Sequence, residues 1–172
     1  LVAVALIGAA GLAAVGLAGR KVQVATIWQG VAWQLPLFVV GMYVVVIGIN
    51  RAGLSSLMDD IIQFGQAQPG WGVLLVAFVS GLGANLVNNI PMSLVAITAL
   101  DSMPGPGELL SLASVIGTNL GPNVTVFGSL ATMLVLTSAR KRGVQISAGQ
   151  YLRVGLLTTP PMILVASLLL IA

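Results

Sequence analysis

Two short polar stretches interrupt an otherwise oily chain, LVNNIPMS at residues 86–93 and GTNLGPNVT at residues 117–125. Their side chains are carboxamides and hydroxyls: Asn88, Asn89, Thr118, Asn119, Asn123 and Thr125. None ionises near neutral pH, so the chemistry available to them is hydrogen bonding. Pro91, Gly117, Gly121 and Pro122 add a second resource. Glycine and proline disfavour continuous helix, and proline lacks an N–H, so backbone carbonyls are left free to act as ligands. Together these groups suit an uncharged polyhydroxylated solute. An anion calls instead for Arg, Lys or paired helix N-termini. The second half of the broken segment, read as helical from about Val124, points its positive N-terminus at the break.

The elements that hold these stretches follow from composition. Of 172 residues, 58% are hydrophobic and 6% are charged, against about 25% charged in soluble domains. Residues 1–19, 30–50 and 154–172 are uncharged runs of 19, 21 and 19 residues, each near the ~20 that a helix needs to cross ~30 Å of hydrocarbon. The chain therefore reads as an all-α integral membrane protein. The net charge of +3 comes from cations that form no stripe with aromatics, which argues against nucleic acid as a partner and for charges that set membrane orientation. The chain has no Cys and no His, so thiolate and imidazole ligands are absent. No nucleophile–base pair or phosphate loop occurs. The reading is no enzyme, no catalytic residue, no metal and no cofactor.

The chain begins LVAVALIGAA without an initiator Met or a basic leader, and is read as the later part of a longer transporter. Arg20 and Lys21 close the first apolar run, Arg140, Lys141 and Arg142 close the fourth, and Arg153 opens the last. Asp59, Asp60, Asp101 and Glu108 lie between them with only Arg51. The positive-inside rule puts 20–29 and 140–153 in the cytoplasm and 51–69 and 101–108 outside. The uncharged run 70–100 must then enter the membrane and return. At 1.5 Å per residue, arms of 71–86 and 91–100 reach about 24 Å and 15 Å, so neither spans, and Pro91 is expected to push Ile90 out of the α region. A re-entrant helical hairpin is predicted, entering from outside.

Residues 109–139 must cross once, yet GTNLGPN falls a third of the way along. Half-helices of about 109–118 and 124–139 joined by unwound backbone are predicted. A single break of this kind is commonly a kink repaired by neighbouring helices. Two Asn-rich breaks at similar depth point to a transporter site, because discontinuous helices meeting at the midplane build such sites. Segment 51–68 carries apolar residues at Leu54, Leu57, Ile61 and Phe64, with Asp59 and Asp60 off that stripe, and reads as an interfacial linker helix. Trp28, Trp33, Tyr43 and Tyr151 read as interface anchors or packing. The domain reading is 1–69 as scaffold-type helices with the interfacial helix, 70–139 as the transport-type hairpin and broken helix, and 140–172 as a cytoplasmic loop and last span.

The run NNIPMS, followed by IGTNLGPNVTVFGSLATMLVL at 116–136, resembles the arsenical pump membrane proteins of the ion transporter superfamily. In that family an Asn-Asn-(apolar)-Pro hairpin precedes a Gly-x-(Asn or Asp)-Leu-Gly-Pro-x-(apolar)-Thr-Pro-Ile-Gly-Ser-Leu-Ala-Thr break. WQLPLFVVGMYVVVIGINRAGL at 33–54 and YLRVGLLTTPPMILV at 151–165 are similar as well. The resemblance implies a C-terminal inverted repeat with a re-entrant hairpin and a broken transmembrane helix. It also implies a multi-pass carrier in the inner (cytoplasmic) membrane that exports arsenite or antimonite in exchange for protons. Its partners would be the lipid bilayer, the other repeat of the same transporter and, as in some members, a cytosolic arsenite-stimulated ATPase. Its implied binding residues are Asn88, Asn89, Pro91, Gly117, Asn119, Gly121, Pro122 and Thr125, to which the chemistry above adds Thr118 and Asn123. Many members have Lys where this chain has Asn123, and Thr-Pro-Ile-Gly reads TVFG at 125–128, so the second half-helix is expected to begin differently. The alternative of a sodium/proton antiporter on the same fold would need an intramembrane carboxylate, which neither break supplies.

Overall fold

A computed structural model describes residues 2–19, 25, 34–101, 105 and 107–172; Trp28, Trp33 and residues 20–24 lie outside them. Regular structure among the described residues is helical throughout. The helices are α1 (Val2–Ala18), α2 (Gln34–Arg51), α3 (Leu54–Ala67), α4 (Pro69–Val87), α5 (Asn89–Asp101), α6 (Glu108–Leu120), α7 (Leu130–Lys141) and α8 (Ala148–Ile171), with a 3₁₀ turn at Gly121–Asn123. Residues 1–40 and 41–172 form separate compact units, and α1 belongs to the first. Within the second unit every element that builds the candidate site packs together.

Many large apolar side chains face outward, among them Leu82, Leu86, Phe127, Leu157 and Leu169. A soluble domain of this size does not present so much apolar surface, whereas a helix in hydrocarbon needs it. Helix α4, over Gly70–Val87, and α8 are each long and apolar enough to cross a bilayer. The first hairpin arm is thus longer than the sequence suggested, at 19 residues or roughly 28 Å. Pro69 stands in the first helical turn, where a missing N–H costs nothing, and this lets α4 begin early. The chain then folds back, and the absence of a Cβ on Gly83 of α4 leaves room for the Met92 side chain of α5. The second arm, α5, has 13 residues, short of a crossing.

The hairpin turns at one residue. Ile90 is helical, contrary to expectation, and the whole reversal falls on Asn88, with φ 80° and ψ 155°. Pro91 is the third residue of α5, a position whose N–H has no intrahelical acceptor, so it starts the second arm instead of breaking it. The broken helix also differs in its limits. Its first half runs to Leu120 and its second begins only at Leu130, so residues 121–129 form the break.

Helix α3 meets α2 at a bend of 67°, taken up at Gly53 with φ 95°. Its packed edge is Met58, Ile62 and Gly65, about one position round the helix from the predicted stripe. Leu57 and Phe64 of that stripe are about half exposed. The core joins this edge to Val73, Val76, Ala77 and Ala84 of α4, Met92, Val95, Ala96, Ala99 and Leu100 of α5, Leu110 and Ala113 of α6, and Ile163 of α8. Burying an aliphatic side chain stabilises by ~1.5–3 kcal/mol, so this core clamps the hairpin between α3 and α6. Helix α8 opens with a capping box in which Ser147 and Gln150 satisfy each other's backbone N–H. Tyr43 is largely exposed, and the Tyr151 hydroxyl lies 3.4 Å from Thr132 Oγ1.

Candidate functional site

The hairpin tip and the break loop meet, and the meeting is polar. Asn88 Nδ2 donates to the Phe127 carbonyl at 2.9 Å, and the Asn89 backbone N–H donates to the Gly128 carbonyl at 2.9 Å. One turn back on α4, Asn85 Nδ2 donates to the Gly81 and Gly121 carbonyls at 2.8 and 2.6 Å. Asn85 Oδ1 accepts from the Thr125 backbone N–H and hydroxyl, both at 2.9 Å. These bonds explain why the second half-helix starts late. Residues 125–128 commit a backbone N–H and two carbonyls to the hairpin and close only a single short turn, from the Gly128 N–H to the Thr125 carbonyl at 3.3 Å.

Glycine permits the approach. A Cβ on Gly121 would sit against the Gly81 backbone, and one on Gly117 against the Ala77 carbonyl and 2.7 Å from Ser80 Cβ. Helix α8 joins from the other side, with Gly155 against the Asn123 carbonyl and Val124. Backbone meeting backbone in this way brings the two breaks within hydrogen-bonding range of one another.

Of the residues singled out from sequence, Asn88, Asn89, Pro91, Gly121, Pro122 and Thr125 converge here. Asn88, Pro91, Gly121 and Pro122 are buried, and Asn89 and Thr125 partly so. Gly117 contributes by contact. Thr118 is buried but turns its hydroxyl onto its own helix, 2.9 Å from the Ser114 carbonyl. Asn119 and Asn123 are exposed on this chain, their Nδ2 atoms bonded to the Val115 and Leu120 carbonyls at 2.9 and 3.0 Å. The expected helix N-terminus at Val124 is not there. It lies at Leu130, where Ser129 Oγ already accepts from the Ala131 N–H at 3.2 Å, so its donors are partly spent.

Asn85 was missed in the sequence because GLGANLV carries no breaker beside the carboxamide. The available signal was an Asn one turn before the Asn-Asn pair in an apolar helix, where a polar side chain must find a partner.

Among the described residues, six buried side-chain atoms have no hydrogen-bond partner: Gln66 Nε2, Ser80 Oγ, Thr159 Oγ1, Ser167 Oγ, and, at the meeting of the two breaks, Asn88 Oδ1 and Asn89 Oδ1. An unsatisfied buried acceptor costs about 1–3 kcal/mol, so the pair is poised for a hydrogen donor. The loops carry no ionised group. Asn88 is also strained, because its φ and ψ lie in a region essentially reserved for glycine, at a cost of order 1–3 kcal/mol. A residue needed only to turn the chain would be better as glycine. Asn88→Gly and Asn88→Ala both remove the orphan oxygen and the bond to Phe127, and they differ in that Gly also removes the strain whereas Ala keeps it. In thermal unfolding of the full-length protein, the Gly variant is expected to exceed the Ala variant by ~1–3 kcal/mol, or several degrees. Equal melting of the two would remove strain from the account.

The sequence profile of the family described as "Arsenical pump membrane protein" matches residues 2–171. An arsenical pump membrane protein of Escherichia coli is 34% identical over 167 residues, covering 95% of this chain and 39% of its own length. One from Yersinia enterocolitica is 34% identical over 171 residues with the same coverage. A putative arsenical pump membrane protein of Bacillus subtilis is 24% identical over 135 residues. No solved structure matches. The chain thus spans about two fifths of the length of the relatives it matches. With the profile running almost end to end, and relatives 34% identical over 95% of its length, the chain belongs to the arsenical pump membrane protein family.

Proposed function

We propose that this chain is one inverted repeat of a secondary carrier that exports arsenite and antimonite across the cytoplasmic membrane, driven by the proton gradient. The observation that carries the reading is the pair of unpartnered oxygens, Asn88 Oδ1 and Asn89 Oδ1, at the point where both helix breaks meet. Arsenite near neutral pH is mainly an uncharged trihydroxide. Its O–H groups are the donors that these acceptors lack, and a site with no cation in its loops gives an oxyanion nothing to pair with. Sulfur ligands would hold trivalent arsenic tightly, so a thiol-free site favours release.

In this reading residues 70–139 form the transport unit, with 1–69 and 140–172 around it. Asn119 and Asn123, exposed on this repeat, face the other repeat and complete the site from its side. A cytosolic ATPase is a further partner on the cytoplasmic face. The test is resistance. In arsenite-sensitive cells, full-length protein carrying Asn89→Ala is expected to give clearly reduced resistance while reaching the membrane in normal amount. Asn89 donates its backbone N–H whichever side chain it bears, so the loop contact to Gly128 survives the change. Full resistance from this variant would detach the hairpin tip from the solute.

A further inference from the structure

We infer that Asn85 is the positioning residue of this site: it holds the break loop against the hairpin and so fixes where Asn88 Oδ1 and Asn89 Oδ1 sit. The inference rests on the reading that those two oxygens meet the solute. A carboxamide offers two N–H donors and two acceptor sites. Asn85 uses all four, on the Gly81 and Gly121 carbonyls and on the Thr125 N–H and hydroxyl. Nothing remains with which to bind a solute, and this separates Asn85 from Asn88 and Asn89. Three of its four bonds cross between elements 36 or 40 residues apart in sequence.

The pattern of donors and acceptors is one that few side chains can reproduce. Asp would keep the acceptors for Thr125 but set a carboxylate oxygen beside the carbonyls of Gly81 and Gly121. Gln would add a methylene where Gly81 and Gly121 already touch. Ala would strand the Gly121 carbonyl and the Thr125 N–H together. Beyond Asn85, two bonds tie the tip to the loop among the described residues, from Asn88 to Phe127 and from Asn89 to Gly128. Placement to within a fraction of an ångström decides whether a small solute is held, so losing Asn85 should weaken binding through geometry.

The test uses full-length protein in detergent, with its other cysteines replaced where present. Spin labels go on Leu86→Cys and Phe127→Cys, both exposed positions on the two sides of the contact. Asn85→Ala, Asn85→Asp and Thr125→Val are compared with the labelled parent, and arsenite affinity is measured on each. The parent is expected to give one narrow distance distribution and the Asn85 variants a broad one. Arsenite affinity is expected to fall tenfold or more for the Asn85 variants, and three- to tenfold for Thr125→Val, which loses one bond of the four. Bridging the two cysteines of Asn85→Ala with a short bis-maleimide is expected to recover most of the affinity, because a covalent tie replaces the missing anchor. A narrow distribution with lost affinity, or no recovery on bridging, would make Asn85 a solute contact and overturn the inference, as would unchanged affinity. If Asn85→Ala does not insert, Thr125→Val decides by the same criteria. Should the parent itself bind no arsenite, the functional reading fails, while the distance distributions still report on Asn85.

Discussion

Gly121→Ala is expected to abolish transport. At most helical positions alanine is favoured over glycine by about 1 kcal/mol, and Gly121 has ordinary helical angles, φ −50° and ψ −45°. Local propensity therefore predicts a gain. Packing predicts the reverse. A Cβ at this position would lie 2.6 Å from the Gly81 carbonyl oxygen and 2.7 Å from its carbon, and these are backbone atoms with no rotamer to yield. The hairpin and the break loop must move apart, which stretches the 2.6 Å bond from Asn85 to the Gly121 carbonyl. Overpacking of this kind costs ~1–3 kcal/mol, roughly 2–12 °C in melting temperature for a domain of this size. The loss of transport should be larger than the loss of stability suggests, since the displaced atoms carry the site. Gly41→Ala and Gly48→Ala, with nothing within 4 Å of the added carbon, provide the control and are expected to transport normally. Gly121→Ala with wild-type melting and transport would mean that the two breaks do not approach as described.

How much of this was legible in the sequence differs from one break to the other. The hairpin tip was, because Asn-Asn-x-Pro is a strong local interruption in a run with no charges. The sequence points to Pro91 as the breaker, yet a proline three residues into a helix costs no hydrogen bond, and the turn falls on Asn88. The second break was placed too early. Val124, Thr125, Val126 and Phe127 have no strong preference against helix, and the bonds of Thr125 to Asn85 and of Phe127 to Asn88 hold the segment against the hairpin. Those bonds join residues about 40 apart in sequence, so no local pattern records them. For the same reason Asn85 escaped notice, and the Gly81–Gly121 contact could not be paired in advance. The linker helix shows a milder case. Its amphipathic character was legible, but Leu57 and Phe64 are as apolar as the residues that pack, and in a bilayer an apolar stripe does not say which edge faces protein.

Helix α3 packs on the hairpin through Met58, Ile62 and Gly65, so a moving hairpin must carry or bend the linker. Gly53, at the 67° bend, is the position with the freedom to absorb such a change.

The second large effect concerns the two orphan oxygens together. If Asn88 Oδ1 and Asn89 Oδ1 bond one solute, each Ala substitution removes a bond of about 0.5–1.5 kcal/mol and weakens apparent affinity roughly three- to tenfold. Because both groups share one ligand, the double variant should depart from the sum of the singles. Losses that merely add would place the oxygens at separate sites. Arsenate discriminates further. It is an anion at neutral pH, and the loops that meet here carry no Lys or Arg, so it should compete weakly in the parent and in every variant. The deciding measurement is arsenite uptake into everted membrane vesicles by full-length parent, Asn88→Ala, Asn89→Ala and the double variant, with arsenate as competitor. The account predicts weakened uptake in both singles, a non-additive double and little competition by arsenate. Parent-like uptake in both singles, or strong inhibition by arsenate, would contradict it.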